Sequence, residues 1–149
     1  MTDERPYRDV DEVDTRLWVG AHPEPHDPFE LGADVVVTLT MEPSVEAVPR
    51  GKLLVRWPIK DGPVPIRGVL RGLARFISDC LDEGAAVLVH CRSGVNRSCL
   101  VAGRVLMERG MTADQAIERI RERRRGSLSD EYAEWLRAEE PTMPPGRVS

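Results

Sequence analysis

Long hydrophobic runs are missing from this sequence of 149 residues. Its longest apolar stretches have about five or six residues, whereas a helix that crosses a bilayer needs roughly 20, so we expect no membrane span. The N-terminal stretch MTDERPYRDVDEVD is acidic and has no apolar centre of the kind that a secretory signal needs. These two absences favour a cytoplasmic protein.

Cysteine is scarce, and positive charge is not in excess. Cys80, Cys91 and Cys99 form neither an even set nor a CxxC pair, which disfavours both a disulfide framework and a zinc site. There are 21 Lys and Arg residues against 25 Asp and Glu residues, a formal net charge of −4. General binding of nucleic acid depends on basic residues that neutralise phosphates, so any recognition of anions must be local.

The composition is that of one globular domain. Hydrophobic residues make up 41% of the chain and charged residues 31%, a balance typical of globular proteins rather than of disordered ones. Residues 1–13 are polar and unpatterned, and residues 141–149, PTMPPGRVS, contain three prolines, so we expect flexible arms at both ends of a domain over 14–140. No apolar heptad indicates a coiled coil, which favours a monomer.

Strand and helix patterns alternate along this domain. Short β-rich runs occupy 16–19, 35–39, 53–57 and 86–90. Amphipathic or apolar helical patterns occupy 66–84, 97–109, 112–124 and 129–138, and the third begins with a capping box, Thr112 with Gln115. The alternation predicts an α/β fold, with a central, mostly parallel, twisted sheet of four to five strands flanked by helices.

One loop stands out, HCRSGVNRS, between the apolar run 85–89 and the second helix. A tight loop that opens a helix points several backbone N–H groups at one place, where the helix dipole also favours negative charge. Gly94 allows the close turn, and the guanidinium of Arg97 can hold two oxygens of a phosphate or sulfate. The residues expected to form this anion loop are His90, Cys91, Arg92, Ser93, Gly94, Val95, Asn96 and Arg97.

The same positive field favours the thiolate of Cys91, the form of cysteine that acts as a nucleophile. Attack on a phosphate would leave an alkoxide or phenoxide that needs a proton, and Asp61 is a candidate acid. It follows the 53–57 strand, and because parallel strands end at the same edge of a sheet, Asp61 and Cys91 are predicted to share that edge. Ser98 is placed to donate a hydrogen bond to the departing thiolate, and His90 to orient the loop.

These residues resemble the dual-specificity type of cysteine-dependent protein phosphatase, in the protein tyrosine phosphatase superfamily, whose signature is HCxxGxxRS. The resemblance extends over about 16–138, through RLWVG, PIKDGPVP, the signature itself, LMERGMTADQAIERIRERR and the closing EWL helix. It implies that a phosphorylated protein or another phosphomonoester is the substrate, with phosphotyrosine, phosphoserine and phosphothreonine as the default. It implies no metal and no organic cofactor.

By this resemblance, Cys91 forms a phosphocysteine and Arg97 binds the phosphate. Asp61 acts first as general acid and then as general base for the hydrolytic water, and Ser98 aids departure of the thiolate. The chain differs from large tyrosine phosphatases, because Ile59 and Lys60 separate Trp57-Pro58 from the acid.

Other interpretations stay open. The protein could bind phosphate without turnover, as a pseudophosphatase, or transfer sulfur as a rhodanese-like sulfurtransferase does. Asp61 could be only a turn residue, since Asp-Gly favours turns. The arginines of RERRR, residues 121–125, could cap a helix or dock acidic substrates. Cys80 and Cys99 are expected in the core, with a disulfide between Cys99 and oxidised Cys91 as an alternative. The histidines of AHPEPHDP, residues 21–28, are expected to be solvated.

Overall fold

The computed structural model describes residues 9–42, 45 and 47–140. The predicted tail 141–149, and residues 1–8 of the predicted N-terminal arm, lie outside this part of the chain. The strands are β1 (Val10–Asp14), β2 (Leu17–Gly20), β3 (Val35–Thr38), β4 (Leu53–Arg56) and β5 (Val87–His90). The helices are α1 (Arg67–Asp82), α2 (Arg97–Glu108), α3 (Ala113–Arg123) and α4 (Asp130–Glu139).

The strands form one sheet in the order β1-β2-β5-β3-β4. β1 and β2 are antiparallel, and the three other neighbouring pairs are parallel. Every residue of β3 and β5 is buried, as expected for apolar strands covered on both faces. The predicted fold class, a mostly parallel sheet of four to five strands flanked by helices, is therefore confirmed.

β1 corrects the predicted N-terminal boundary, because residues 10–13 belong to the sheet and not to a flexible arm. Val10 and Val13 are fully buried, while Asp11 and Glu12 between them are half-buried. Val10 packs with Leu88 on one face of the sheet, whereas Val13 belongs to the main core on the other face. The pairing with β2 shifts register between Glu12 and Asp14. Simple alternation of polar and apolar residues is absent, so the sequence pattern did not indicate a strand.

The four predicted helices are confirmed, with α2 at the centre. Nearly the whole of α2 is buried, and it packs against α1, α3 and α4. The capping box at the start of α3 is present, since the hydroxyl of Thr112 accepts a hydrogen bond from the Gln115 backbone and the Gln115 side chain accepts one from Thr112 N–H. Among the described residues, none of the helices combines the length and the apolar character that crossing a membrane would require.

The topology places two loops at one edge of the sheet. β4 and β5 both run parallel to β3, so the segment that follows β4 and the segment that follows β5 leave the sheet on the same side. We call residues 57–66 the acid loop and residues 90–97 the anion loop. The predicted site residues lie on these two loops and on the first turn of α2.

Candidate active site

The anion loop wraps around the sulfur of Cys91. Cys91 directly follows β5 and is 1% exposed, and its backbone N–H donates to the carbonyl of Gly20. The N–H of Gly94 donates to Cys91 Sγ at 3.2 Å, and Ser98 Oγ lies 3.4 Å from the same sulfur. The Gly94 N–H donates to the sulfur, whereas in the contact with Ser98 either the hydroxyl or the thiol can be the donor.

Gly94 cannot be replaced without moving the loop. Its φ is +71°, a left-handed conformation that favours glycine. A Cβ built at this position would lie 2.3 Å from the carbonyl carbon of Gly20 and 2.6 Å from a guanidinium nitrogen of Arg124. The loop is therefore fixed both by its backbone conformation and by its close approach to the end of β2.

Arg97 joins the two loops. It is the first residue of α2, whose first turn contains no acidic residue, so an anion meets the positive end of the helix dipole there. One guanidinium nitrogen of Arg97 donates to the carbonyl oxygen of Ile59 in the acid loop at 2.7 Å. The half-buried guanidinium thus lies where the two loops meet.

Asp61 is exposed and reaches the anion loop. Its Oδ1 accepts a hydrogen bond of 2.6 Å from the side-chain amide of Asn96, 35 residues further along the chain. The structure therefore brings the nucleophile candidate, the arginine expected to bind the anion and the acid candidate to one edge of the sheet, as the strand topology predicts. Arg92 and Ser93 are exposed on the outer side of the anion loop.

His90, the first residue of the anion loop, is fully buried. Its Nε2 lies 2.9 Å from the hydroxyl of Thr38 on β3, and its ring packs edge to face on His22 at 5.3 Å between centroids. Burial and the neighbouring His22 lower the pKa of His90 to about 4. His90 is therefore neutral at physiological pH, and His22 is a packing partner of the loop rather than the solvated side chain expected.

The burial of His90 makes stability depend on pH. The unfolded chain takes up this proton near pH 6.5 and the folded chain only near 4, so stability is full above pH 6.5 and falls toward pH 4. We expect the free energy of unfolding to decrease by up to about 3 kcal/mol across this window. Urea unfolding at several pH values should show a flatter dependence for His90→Asn. The exposed His26 is the matched control, and a slope that His26→Asn removes and His90→Asn leaves intact would contradict the assignment.

Arg124 supports the anion loop from behind, a role that the sequence pattern did not reveal. It is 5% exposed, and its guanidinium donates to the carbonyl oxygens of Gly94 and Ser93 in the anion loop. The same group pairs with Asp9 at 2.7 Å and with Asp11 at 3.0 Å. Arg124 therefore holds the back of the anion loop and fastens it to β1.

Replacing Arg124 by lysine should weaken catalysis without abolishing it. Lysine keeps the charge but has one nitrogen in place of the planar fork, so it cannot reach two carbonyls and two carboxylates together. We expect kcat/KM to fall by about tenfold, since loss of one to two hydrogen bonds changes a free energy by about 1–2 kcal/mol. Arg123→Lys and Arg125→Lys are matched controls because both side chains are exposed. Equal effects at all three positions would contradict the assignment.

Arg121 of RERRR and the two other cysteines have structural contacts. Arg121 donates to the carbonyl of Leu128 and pairs with Asp130. Cys99 is fully buried, as predicted, and burial raises its pKa to about 12, so it remains a protonated thiol. Cys80 is half-buried and packs against the core. The alternative of a disulfide from Cys99 to oxidised Cys91 stays a prediction.

Taken together, fold and site define a class of protein. The site has the arrangement of cysteine-dependent phosphatases. It combines a cysteine sulfur inside a loop of backbone amides, an arginine at the start of the following helix and a carboxylate on a second loop. Among the described residues, no cluster of His, Cys, Asp or Glu could hold a metal ion. The sequence model of the family described as "Dual specificity phosphatase, catalytic domain" matches residues 20–141, and the chain belongs to this family.

Similar proteins carry related names. A stretch of 88 residues, 58% of the chain, is 33% identical to "Protein tyrosine phosphatase type IVA 3" of Bos taurus and covers 51% of it. An alignment 96 positions long, which covers 58% of the chain, gives 32% identity to "Protein tyrosine phosphatase PRL-1" of Leishmania major and covers 55% of that protein. The chain thus spans about half the length of the curated relatives it matches.

Solved structures share the fold. The structure described as Tk-PTP in the active form has a TM-score of 0.77 and 25% identity, over 93% of this chain and 99% of that one. Human DUSP28 has a TM-score of 0.78 and 21% identity, over 91% of this chain and 95% of that one. At this low identity the likeness to DUSP28 concerns the fold alone.

Proposed function

We propose that the protein hydrolyses phosphomonoesters through a phosphocysteine intermediate, and that its substrates are proteins phosphorylated on tyrosine, serine or threonine. One observation carries this proposal, the meeting of three groups on two loops. The Cys91 sulfur lies inside the anion loop, Arg97 stands at its end, and Asp61 reaches the same loop from the other side. Family membership supports the reaction class, and the names of the relatives support protein substrates.

In the first step, the substrate phosphate binds to the backbone N–H groups of the anion loop and to the guanidinium of Arg97. The thiolate of Cys91 attacks phosphorus, so that a sulfur–phosphorus bond forms while the bond to the leaving oxygen breaks. Asp61 donates its proton to that oxygen, and the alcohol or phenol departs neutral. The phosphoryl group is then held on Cys91.

In the second step, water attacks phosphorus and the sulfur–phosphorus bond breaks. The Asp61 carboxylate, left by the first step, takes the proton of the attacking water, which restores the acid. The thiolate departs with a hydrogen bond from the Ser98 hydroxyl, 3.4 Å from the sulfur. The net reaction consumes one water and releases the alcohol and inorganic phosphate, and needs neither metal nor organic cofactor.

We further propose that the enzyme acts as a monomer in the cytoplasm and that neither nucleic acid nor membrane is a partner. The unpaired thiols Cys80, Cys91 and Cys99 support a reducing compartment. The net negative charge of the chain, −4, supports the exclusion of nucleic acid. Light scattering of the purified protein tests the monomeric state.

The test of function is hydrolysis of p-nitrophenyl phosphate, followed by a panel of phosphotyrosine, phosphoserine and phosphothreonine peptides, phosphoinositides and RNA with a 5′ phosphate. We expect release of phosphate from the peptides above the background of Cys91→Ser. Binding of vanadate without any turnover would instead assign a phosphate-binding module. Transfer of sulfur from thiosulfate that survives Asp61→Asn would assign a sulfurtransferase.

A further inference from the structure

The acid loop is tied to the rest of the protein at three neighbouring residues. The carbonyl of Ile59 accepts from Arg97, the carboxylate of Asp61 accepts from Asn96, and both backbone groups of Gly62 bond to the hydroxyl of Tyr132. All these partners belong to the protein itself. The position of the acid loop is therefore set by contacts within the chain.

Asn96 is oriented from its far side. Its Oδ1 accepts a hydrogen bond of 2.9 Å from the backbone N–H of Ser129, the N-cap residue of α4. A backbone N–H can only donate, so the oxygen of the amide must face Ser129 and the NH₂ group must face Asp61. The bond from Asn96 Nδ2 to Asp61 Oδ1, 2.6 Å long, is thus fixed in direction.

This direction decides where the acid carries its proton. Oδ1 of Asp61 is occupied as an acceptor by the amide of Asn96, so the proton of the neutral acid resides on Oδ2. A carboxylic acid with one oxygen held by a donor presents its hydroxyl on the other oxygen. General acid catalysis needs the proton aimed at the leaving oxygen before the bond breaks.

Tyr132 holds the backbone beside the acid. Its hydroxyl accepts from the N–H of Gly62 at 3.1 Å and donates to the carbonyl of Gly62 at 2.7 Å. The ring is 3% exposed. Burial raises the pKa of Tyr132, so the hydroxyl stays protonated and keeps its donor. Gly62 directly follows Asp61, so this pair of bonds sets the position of the acid's backbone.

We propose that Asn96 and Tyr132 are positioning residues, which hold the acid loop against the anion loop and fix the acid proton on Oδ2 of Asp61. This inference deepens the proposed function and rests on it for its kinetic consequence. The two residues lie on different elements, the anion loop and α4, and act on adjacent residues of the acid loop. They act through Asp61 and Gly62, not on the reacting phosphate.

The kinetic test compares substrates with good and poor leaving groups. Asn96→Ala and Tyr132→Phe should each lower kcat by about tenfold for a phosphoserine peptide, the scale of one or two lost hydrogen bonds. Hydrolysis of p-nitrophenyl phosphate should change less than about twofold, because its leaving group needs little protonation. Gln115→Ala, which removes an exposed amide from the capping box of α3, is the matched control.

Asn96→Asp separates the two contacts of the side chain. One carboxylate oxygen of the aspartate can still accept from Ser129 N–H. The other oxygen takes the place of the NH₂ group, so Asp61 faces a negative charge instead of a hydrogen-bond donor. We expect a loss with the poor leaving group at least as large as that of Asn96→Ala. Near-normal activity of Asn96→Asp, or a loss that is equal for both kinds of substrate, would show that Asn96 only supports the fold and would overturn the inference.

Hydrogen exchange tests whether Tyr132 holds the acid loop in place, and it needs no substrate turnover. In the free protein, the amide of Gly62 should exchange about five to ten times faster in Tyr132→Phe than in the wild type, because its acceptor is gone. Gln115→Ala should leave this rate unchanged. An unchanged rate in Tyr132→Phe would overturn the inference even in an active enzyme. If the wild type is no more active than Cys91→Ser but the exchange rate of Gly62 rises in Tyr132→Phe, the proposed function is wrong. The conclusion that Tyr132 holds the acid loop in place is then still supported.

Discussion

Cys91→Ser is expected to reduce hydrolysis of every phosphomonoester by roughly 10⁴-fold or more, the scale of the loss when a covalent nucleophile is removed. A serine hydroxyl remains protonated near neutral pH, whereas only an ionised cysteine supplies a strong nucleophile to phosphorus. The variant should still fold, because oxygen at this position can also accept the N–H of Gly94, which bonds the sulfur in the wild type.

A measurement of phosphate binding shows whether Cys91→Ser has lost only the nucleophile or also the structure of the phosphate-binding loop. Calorimetric titration of Cys91→Ser with phosphate should still show binding, since the backbone amides and Arg97 are unchanged. Cys80→Ser is the matched control, because Cys80 is a half-buried thiol on α1, outside the two loops of the site. Near-normal turnover by Cys91→Ser would contradict a phosphocysteine mechanism.

Asp61→Asn is expected to lower kcat by at least about 10²-fold for phosphoserine and other poor leaving groups, the scale of a lost general acid. Activated aryl phosphates should lose much less, because their leaving oxygen departs without protonation. The asparagine amide can preserve the shape of the side chain but has no acidic proton. The measurement is kcat across a series of aryl and alkyl phosphates that differ in the acidity of the leaving group.

How the loss of kcat varies across these substrates shows whether Asp61 is a general acid or only a structural residue of the loop. A uniform loss over the whole series would make Asp61 a turn residue that shapes the loop. Asp114→Asn serves as the matched control, since Asp114 is an exposed carboxylate on α3 that pairs with Arg137. This variant should keep wild-type kinetics with every substrate.

Strands β2 to β5, the four helices and the anion loop could be predicted because their signals are local. The 3.6-residue period of α1, the continuous apolar runs of β3 and β5 and the signature HCRSGVNRS each lie within one short stretch. The position of Asp61 needed one step more, the rule that parallel strands end at one edge of a sheet. That step used topology and required no knowledge of side-chain contacts.

The missed features depend on contacts between distant parts of the chain. Arg124 pairs with Asp11 and Asp9, which are 113 and 115 residues away, and nothing within RERRR distinguishes it from its exposed neighbours. Asn96 occupies a variable position of the signature, and its contact with Ser129 appears only once α4 is in place. The sequence pattern did not indicate β1 because its two buried valines lie three positions apart on opposite faces of the sheet, which leaves no alternation of polar and apolar residues.

The contacts of Arg124 also have a consequence for how a functional loop is assembled during synthesis. Its guanidinium joins Asp9 and Asp11, at the start of the described chain, to the carbonyls of Ser93 and Gly94. A ribosome releases the residues of HCRSGVNRS well before it releases Arg124. The nascent chain therefore contains the complete signature before the residue that supports its backbone is available. We expect the anion loop to reach its final form only after Arg124 has bound both the loop and β1.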